Sequence, residues 1–173
     1  MIHFEKARME DAKALALISW HLFDHDIHYG APRVSGPPGY KAGRWQSRMI
    51  RRGPYYKILA DDQIIGGLVV FQKKPGHCEL GRIFLVPEFQ NQGIGAQAIQ
   101  FIELSFPEVQ RWTLATPRWN KRNQHFYEKM GYRRVGPDGH DGYRYEKRMP
   151  APQLPSAGSS RLRSQTSSRL REV

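Results

Sequence analysis

The sequence is poor in cysteine, and it has no long apolar runs. Cys78 is the single cysteine among 173 residues, which excludes an intramolecular disulfide framework and any zinc site built on four cysteines. No apolar run approaches the roughly 20 residues that a membrane-spanning helix needs. The first residues also lack the apolar stretch of a secretory signal. These absences predict a cytoplasmic protein that does not act in a membrane.

Acidic residues are few relative to basic ones. The chain has 16 Asp and Glu against 27 Lys and Arg, which gives a formal net charge of +11. A basic protein favours anionic partners, and phosphates are the obvious candidates. Nucleic acid and a phosphorylated cofactor both satisfy this condition, and charge alone does not separate them.

Composition divides the chain into two parts. Residues 1–149 have the length and the apolar content of one α/β domain. Residues 150–173 are rich in Pro, Ser and Arg and have almost no large apolar side chains. Such a segment buries too little surface to offset its ordering entropy, so we predict a disordered basic tail.

Hydrophobic periodicity predicts the element order β-α-α-β-β-β-α-β-α-β-β for the domain. The predicted strands are 2–7, 55–60, 64–72, 78–86, 112–116, 132–135 and 143–148. The predicted helices are one that carries Ala12, Leu15, Ile18 and Leu22, followed by 44–52, 93–106 and 124–130. The strand–helix–strand crossover over 78–116 requires a parallel pair within an otherwise antiparallel sheet.

A glycine turn stands between the strand at 78–86 and the next helix. Gly93 and Gly95 let backbone N–H groups approach a ligand closely, and a helix N-terminus favours a pyrophosphate. A Walker phosphate loop is excluded because no Lys-Ser/Thr pair follows. The dinucleotide motif fits only literally, because six residues separate the strand from the glycines and the ribose-binding acid is missing. Glycines retained for packing alone are the remaining alternative.

Two motifs resemble those of the GNAT superfamily of N-acetyltransferases. Gln90-x-x-Gly93-x-Gly95 follows a Leu-Val-Pro strand end, like the family's acyl-CoA-binding motif. Downstream, Asn120-Lys-Arg-Asn123-Gln-His-Phe-Tyr127 and the following Gly-Tyr are similar to the family's Asn-x-x-Ala-x-x-Phe-Tyr-x-x-x-Gly-Phe segment. Asn123 departs from the family, which usually has alanine there. The resemblance spans roughly residues 1–149 and implies a mostly antiparallel sheet with one splayed parallel pair, flanked by helices.

The resemblance implies acetyl-CoA as co-substrate and a set of binding residues. Backbone groups of Ile83, Phe84 and Leu85 would bind the pantetheine arm, and one of them would polarise the thioester carbonyl. Asn120 would hydrogen-bond the pantetheine portion, while Lys121 and Arg122 could meet the 3′-phosphate. The pyrophosphate would be held by Gln90 and by the turn Asn91, Gln92, Gly93, Ile94, Gly95 and Ala96.

Tyr127 is the candidate catalytic acid, because a phenol near the sulfur can supply a proton to the departing thiolate. The alternative is that Tyr127 is only part of a buried helix face. For the base, the resemblance points to Glu79, predicted to share a sheet face with Gly81, Ile83 and Leu85. His77 and water are the alternatives, and a salt bridge would be an ordinary role for Glu79.

The segment from His21 to His28 is the candidate acceptor region. His21 and His25 stand four residues apart, but no further ligand completes a zinc set, so we expect no metal. Asp24 and Asp26 could attract a cationic amine, with Tyr40 and Trp45 as apolar walls; a solvated acidic loop is the alternative. The segment 36–39, Gly-Pro-Pro-Gly, has the composition of a lid and favours a small amine.

The predicted function is transfer of an acetyl group from acetyl-CoA to a primary amine of a small molecule, without metal. Within the same fold, a protein N-terminus or lysine is the alternative acceptor. A basic RNA-binding protein is another, with a phosphate track along Arg44, Arg48, Arg51 and Arg52, although nucleic acid is not the expected partner. A CoA-sensing module is the third. Sheet edges of this fold also allow a homodimer.

Overall fold

A computed structural model describes residues 1–150, so the predicted tail lies outside the described residues apart from Pro150. The elements follow the predicted order. The strands are β1 (Ile2–Lys6), β2 (Tyr55–Ala60), β3 (Gln63–Lys74), β4 (His77–Leu85), β5 (Arg111–Pro117), β6 (Arg133–Pro137) and β7 (Gly142–Arg148). The helices are α1 (Ala12–His25), α2 (Gly43–Arg52), α3 (Ile94–Ser105) and α4 (Lys121–Lys129).

The strands form one seven-stranded sheet in the order β1-β2-β3-β4-β5-β7-β6. Every neighbouring pair is antiparallel except β4 and β5, which are joined by the crossover through α3 and run parallel. The pairing between these two strands covers only His77–Glu79 and Arg111–Thr113. Beyond Glu79 the two strands separate, which confirms the predicted fold class with its splayed parallel pair.

Helices cover both faces of the sheet. On one face, the buried side chains of α3 and Tyr127 of α4 belong to the larger apolar core, together with Trp112 of β5. On the other face, Leu15 and Leu22 of α1 and Met49 of α2 form a second core against the sheet. The apolar stripe of α1 recurs every three or four residues, as one buried helix face requires.

A β-bulge interrupts β4 at Gly81. Opposite β3, Val69 pairs with Arg82 and Val70 with Leu80, so Gly81 is the extra residue. The bulge reverses the alternation of side chains between the two faces. Added atoms at Gly81 would also overlap the Phe71 ring, because an ideal Cβ there would lie 2.1 Å from it.

The bulge corrects one expectation. In a regular strand, residues five positions apart such as Leu80 and Leu85 lie on opposite faces. Here both belong to the same core, and Phe84 belongs to the core on the opposite face. Glu79 therefore does not share a face with Ile83 and Leu85, as uninterrupted alternation predicted. The regular period of two fails here because one inserted residue shifts it.

Helix α4 begins earlier than predicted. The side chain of Asn120 accepts a hydrogen bond from the backbone N–H of Asn123 at 3.0 Å and caps the helix, so α4 starts at Lys121 rather than at 124. The early start brings Arg122 and Asn123 into a regular helix turn beside the opening between β4 and β5.

Candidate active site

A cavity of about 410 Å³ lies beside the diverging end of β4. Three parts of the chain line it: the end of α1, the last residues of β4 with the turn that follows, and α4. The lining residues are Leu22, Phe23, Asp26, Ile83, Phe84, Leu85, Gln90, Asn91, Gly93, Gly95, Ala96, Arg122, Asn123, Phe126, Tyr127, Lys129 and Met130. We call Leu22, Phe23 and Asp26 the α1 wall and the other lining residues the motif wall.

The glycine turn owes its shape to left-handed backbone at two positions. Asn91 has φ of +60° and Gly93 has φ of +79°, and α3 begins at the next residue, Ile94. A Cβ at Gly93 would meet no atom within 4 Å, so the turn is open on this side. Gly95 serves packing instead, because a Cβ there would lie 3.2 Å from the Phe126 ring. The structure thus favours glycine at both positions, at Gly93 because of the left-handed backbone and at Gly95 because of the close packing on Phe126.

The side chain of Gln90 joins three elements. Its Nε2 donates to the backbone carbonyl of Leu85 at 2.8 Å, and its Oε1 accepts from Nη1 of Arg122 at 2.7 Å. Gln90 therefore fixes the turn to the end of β4 and to α4. The Arg122 guanidinium also lies 4.1 Å above the Tyr29 ring, which holds a positive charge at the cavity.

Three of the predicted cofactor-binding side chains do not line the cavity. Gln92 donates to the carbonyl of Glu88 at 2.8 Å on the surface, and Ile94 is buried in the larger core. Asn120 is 2% exposed and caps α4. Their backbone groups still belong to the turn and to the start of α4, so any part they take in binding falls to the main chain.

Tyr127 reaches the cavity from within the larger core. Its ring packs against Phe126, Tyr132 and Tyr145, and the residue is 5% exposed. Burial raises the pKa of the Tyr127 phenol well above its usual value. The phenol is therefore protonated at neutral pH, which is the state that a proton or hydrogen-bond donor requires.

Neither predicted base lines the cavity. Glu79 forms an ion pair with Lys73 at 3.2 Å, with a third of its side chain exposed. Nε2 of His77 lies 2.9 Å from Oγ1 of Thr113, across the parallel pairing. Burial, reinforced by the charge of Arg111, lowers the pKa of His77. Glu79 thus forms the kind of ion pair named as the alternative to a catalytic role, and both residues lie at the paired end of β4.

The two acidic residues at the end of α1 differ in their surroundings. Asp24 accepts hydrogen bonds from Trp20, Tyr40 and Lys41 on the surface. Burial alone would raise the pKa of Asp24, but these hydrogen bonds outweigh it and lower the pKa. Asp26 is 7% exposed and lines the cavity, and desolvation raises its pKa to about 6. The sequence did not distinguish these two carboxylates.

The predicted apolar walls lie beside the cavity rather than in it. The Trp45 ring stacks on the guanidinium of buried Arg82, 3.8 Å away, and the Tyr40 and Phe23 rings pack edge to face. Nη2 of Arg82 donates to the carbonyl of Pro38 at 3.0 Å, within the predicted lid. A Cβ at Gly36 would lie 2.7 Å from Cβ of Phe23, so the lid packs directly on a residue that lines the cavity.

Several lining residues were not assigned from the sequence. Leu22 and Phe23 looked like ordinary helix residues, and Phe126 like part of a family motif without a role. Asn123 could have been found from the sequence, because it departs from the family's usual alanine, and it lines the cavity. A polar residue in place of alanine at a cavity wall changes what that wall can bind.

The site fits acetyl-CoA on three observations. The edge of β4 beyond Glu79 is not paired with β5, so it can accept an extended ligand as an added strand. The glycine turn leads into the N-terminus of α3, where unpaired N–H groups favour a phosphate. Arg122 adds a positive charge at the same cavity.

Two other kinds of site are absent from residues 1–150. Within this range no three side chains of His, Cys, Asp or Glu come together as a metal ion would require. No helix in the same range has both the length and the apolar character to cross a membrane.

Comparisons with known proteins agree with the geometry. A model of the acetyltransferase (GNAT) family matches residues 16–132. YrkN of Bacillus subtilis strain 168, an uncharacterized protein, is 38% identical over 79 residues, or 44% of this chain and 43% of the relative. The chain thus matches less than half the length of this curated relative.

Solved structures share the fold at low sequence identity. The PaiA N-acetyltransferase of Thermoplasma acidophilum, solved with coenzyme A, has a TM-score of 0.73 at 20% identity, covering 86% of this chain and 99% of the neighbour. A GNAT-family acetyltransferase of Streptococcus agalactiae has a TM-score of 0.75 at 16% identity, with coverage of 86% and 96%. Because the family model covers well over half of the chain, the protein belongs to the GNAT family of acetyltransferases, the enzymes that take an acetyl group from acetyl-CoA.

Proposed function

We propose that the protein transfers the acetyl group of acetyl-CoA to a primary amine of a small molecule. The observation that carries this proposal is the convergence of three features on one cavity: the open glycine turn, the unpaired edge of β4 and the phenol of Tyr127. The structural neighbour from Thermoplasma acidophilum, which was solved with coenzyme A, supports the same use of the fold.

The motif wall would bind the cofactor mainly through the backbone. The edge of β4 beyond Glu79 is not paired with β5, and those backbone groups of Ile83, Phe84 and Leu85 that face the gap can hydrogen-bond an extended amide chain. The turn from Asn91 to Ala96 offers N–H groups to the pyrophosphate. When bound, acetyl-CoA supplies an acetyl group activated as a thioester. A backbone N–H aimed at the thioester oxygen would stabilise the charge that develops there.

Tyr127 would act at the sulfur atom. Its phenol keeps its proton at neutral pH and can donate a hydrogen bond as the carbon–sulfur bond breaks. Since burial makes the phenol a weaker acid than usual, Tyr127 acts first as a hydrogen-bond donor. The phenol proton is transferred to the sulfur only as full negative charge develops there.

The proton balance needs one acceptor outside the cofactor. An ammonium group gives up two protons when it becomes an amide nitrogen. Tyr127 helps to deliver one to the sulfur and regains a proton from solvent, so one proton is released overall. Neither Glu79 nor His77 lines the cavity, which supports proton loss from the amine to water rather than to β4.

A small acceptor is supported by the lid at residues 36–39. The lid packs on Phe23 of the α1 wall and is held by the hydrogen bond from Arg82 to Pro38. A polypeptide needs an open groove that takes several extended residues, and a segment packed on Phe23 leaves less room for one beside the α1 wall. Acceptors with a single amine and a compact body fit such a site better.

The test is a thiol-release assay with acetyl-CoA and a panel of primary amines, run on the wild type and on Tyr127→Phe. We expect thiol release that depends on the amine and falls strongly in the variant. Peptides with free N-termini or lysines belong in the panel as the alternative acceptor. Thiol release with peptides but not with small amines would overturn the small-molecule assignment.

A further inference from the structure

The position of Asp26 is electrostatically unfavourable for a carboxylate. Asp26 follows the last residue of α1 and begins a short 3-10 turn, Asp26–Tyr29. The C-terminal end of a helix carries partial negative charge from its unpaired carbonyls. This partial charge repels the Asp26 carboxylate, so the stability of α1 does not explain an acidic residue at this position.

No ion pair offsets this placement. Asp11 and Asp24 pair with Lys57 and Lys41, at 3.2 and 3.0 Å. The Asp26 carboxylate has no such partner within residues 1–150, and the residue is nevertheless 93% buried. Buried carboxylates are ordinarily paired or hydrogen-bonded, because an unpaired buried charge is costly.

The charged and titratable groups around Asp26 come from α1, from its own turn and from α4. They are His25, His28, Tyr29, Arg122, Tyr127 and Lys129. The charges of Arg122 and His25 act on Asp26 from a distance and lower its pKa, but desolvation outweighs both. Arg122 is itself engaged by Gln90 and by the Tyr29 ring. Asp26 thus remains a buried carboxylate at the cavity without an ion-pair partner in residues 1–150.

The rest of the α1 wall is apolar. Leu22 and Phe23 line the cavity beside Asp26, and Phe84 and Phe126 line it from the motif wall. Asp26 is the single acidic residue among the lining residues, and no other residue of the α1 wall carries a charge. One carboxylate beside the apolar side chains of the α1 wall matches a ligand with one cationic nitrogen and an apolar body.

We propose that Asp26 is the acceptor-binding residue, and that the acceptor is a primary amine with an apolar body whose nitrogen lies against this carboxylate. This inference rests on the proposed function and names the substrate class that the same cavity takes. Asp26 accepts an N–H hydrogen bond from the amine in both its ammonium and its free-base form. The apolar body lies against Leu22 and Phe23.

Asp26→Asn tests the proposal with n-butylamine and phenethylamine as acceptors and thiol release as readout. The amide keeps the size and one acceptor oxygen of the carboxylate but removes the charge. Loss of a buried charge contact raises the KM for each amine by about tenfold or more. The KM for acetyl-CoA stays within about twofold. Asp24→Asn is the matched control: a carboxylate two residues away, outside the cavity, whose loss leaves both KM values unchanged.

The pH profile gives a readout that a merely structural role does not alter. Amine attack requires the free base, so kcat/KM for the amine falls with decreasing pH in every variant; in the wild type it falls more steeply below about pH 6, where Asp26 becomes protonated. In Asp26→Asn this additional acidic limb disappears, and the lower kcat/KM keeps only the slope set by the amine. In Asp24→Asn the limb is retained.

The outcomes separate the inference from the function on which it rests. A wild type that turns over both amines, with an Asp26→Asn variant of equal amine KM, overturns the assignment of Asp26 and leaves the proposed function standing. A variant whose KM rises for acetyl-CoA instead makes Asp26 a cofactor contact and also overturns it. A wild type that binds acetyl-CoA but acetylates no amine overturns the proposed function, and the inference with it.

Discussion

The two walls of the cavity are built differently. The motif wall comes from two segments, 83–96 and 122–130, and in the proposed function it would present mainly backbone groups to the cofactor, arranged by Gly93, Gly95 and the side chain of Gln90. The α1 wall presents side chains, Leu22, Phe23 and Asp26, from the end of one helix. A backbone site suits a cofactor that does not vary, whereas a side-chain site can change its ligand through single substitutions.

The two walls also differ in what they contribute to the stability of the fold. In the motif wall, the polar side chain of Gln90 has two hydrogen-bond partners, which hold the glycine turn to β4 and to α4. In the α1 wall, Asp26 is a buried carboxylate without an ion-pair partner in the described chain. The hydrogen bonds of the motif wall therefore stabilise the fold as well as shape the site. The α1 wall instead carries a buried charge that destabilises the fold and faces the cavity.

The largest effect is expected from a substitution in the glycine turn. Gly93→Val places a branched side chain at a positive φ and fills the open space beside the cavity. We expect acetyl-CoA affinity, measured by calorimetry, to fall by about 100-fold or more, equivalent to about 3 kcal/mol. Gly139→Val is the matched control, because Gly139 has φ of +86°, meets nothing within 4 Å and lies outside the cavity. Equal loss of affinity in both variants would contradict the role of the turn.

Tyr127→Phe separates chemistry from binding within the motif wall. Removal of the Tyr127 hydroxyl group should lower kcat by about 100-fold, at the lower end of what a proton donor contributes, with little change in either KM. Tyr132→Phe is the control, since Tyr132 is a buried tyrosine packed against Tyr127 but does not line the cavity. A variant Tyr127→Phe with wild-type kcat would leave Tyr127 as a packing residue only.

Asp24 and Asp26 should affect stability in opposite directions as pH changes. The pKa of Asp26 is raised to about 6, so its carboxylate destabilises the fold above that pH, by about 2 to 3 kcal/mol. Asp26→Asn should therefore be more resistant to urea than the wild type at pH 8, and this gain should shrink steadily as pH falls toward 4.

The pKa of Asp24 is lowered, so its contribution is stabilising above the unfolded pKa and is lost as pH falls through the folded one. Asp24→Asn should thus be slightly less stable than the wild type at pH 8, with no deficit at low pH. Two variants that respond to pH in the same way would contradict the difference between these carboxylates.

The smallest effect is expected from Glu79, which pairs with Lys73 outside the cavity. Glu79→Gln removes one partly exposed ion pair, and such pairs contribute at most about 1 kcal/mol to stability. The values of kcat and of both KM should stay within about twofold in a steady-state thiol-release assay. A loss of kcat comparable to that of Tyr127→Phe would instead support Glu79 as the base.

The sequence predicted the parts of the site that depend on local pattern. The glycine turn, the crossover and the order of the elements follow from short motifs and from periodicity. The bulge at Gly81 was not predictable, because it depends on contacts between β3 and β4 and on the Phe71 ring. It displaced Glu79 from the face on which the sequence had placed it.

The roles of neighbouring polar residues were also beyond the sequence. Asn120 and Asn123 belong to the same motif, yet one caps α4 and the other lines the cavity. Asp24 and Asp26 differ because Tyr40 and Lys41 reach the first, while the second turns toward α4. Burial of this kind depends on residues far apart in the chain, which periodicity does not report.

Binding of acetyl-CoA to this cavity is the central claim, and thermal unfolding in the presence of increasing acetyl-CoA tests it most directly. A ligand that binds only the folded chain stabilises it by about 2.7 kcal/mol at 100 times its Kd, which raises Tm by several degrees. We predict a rise that grows with concentration in the wild type and in Gly139→Val and is lost in Gly93→Val. An unchanged Tm of the wild type at millimolar acetyl-CoA would contradict the account.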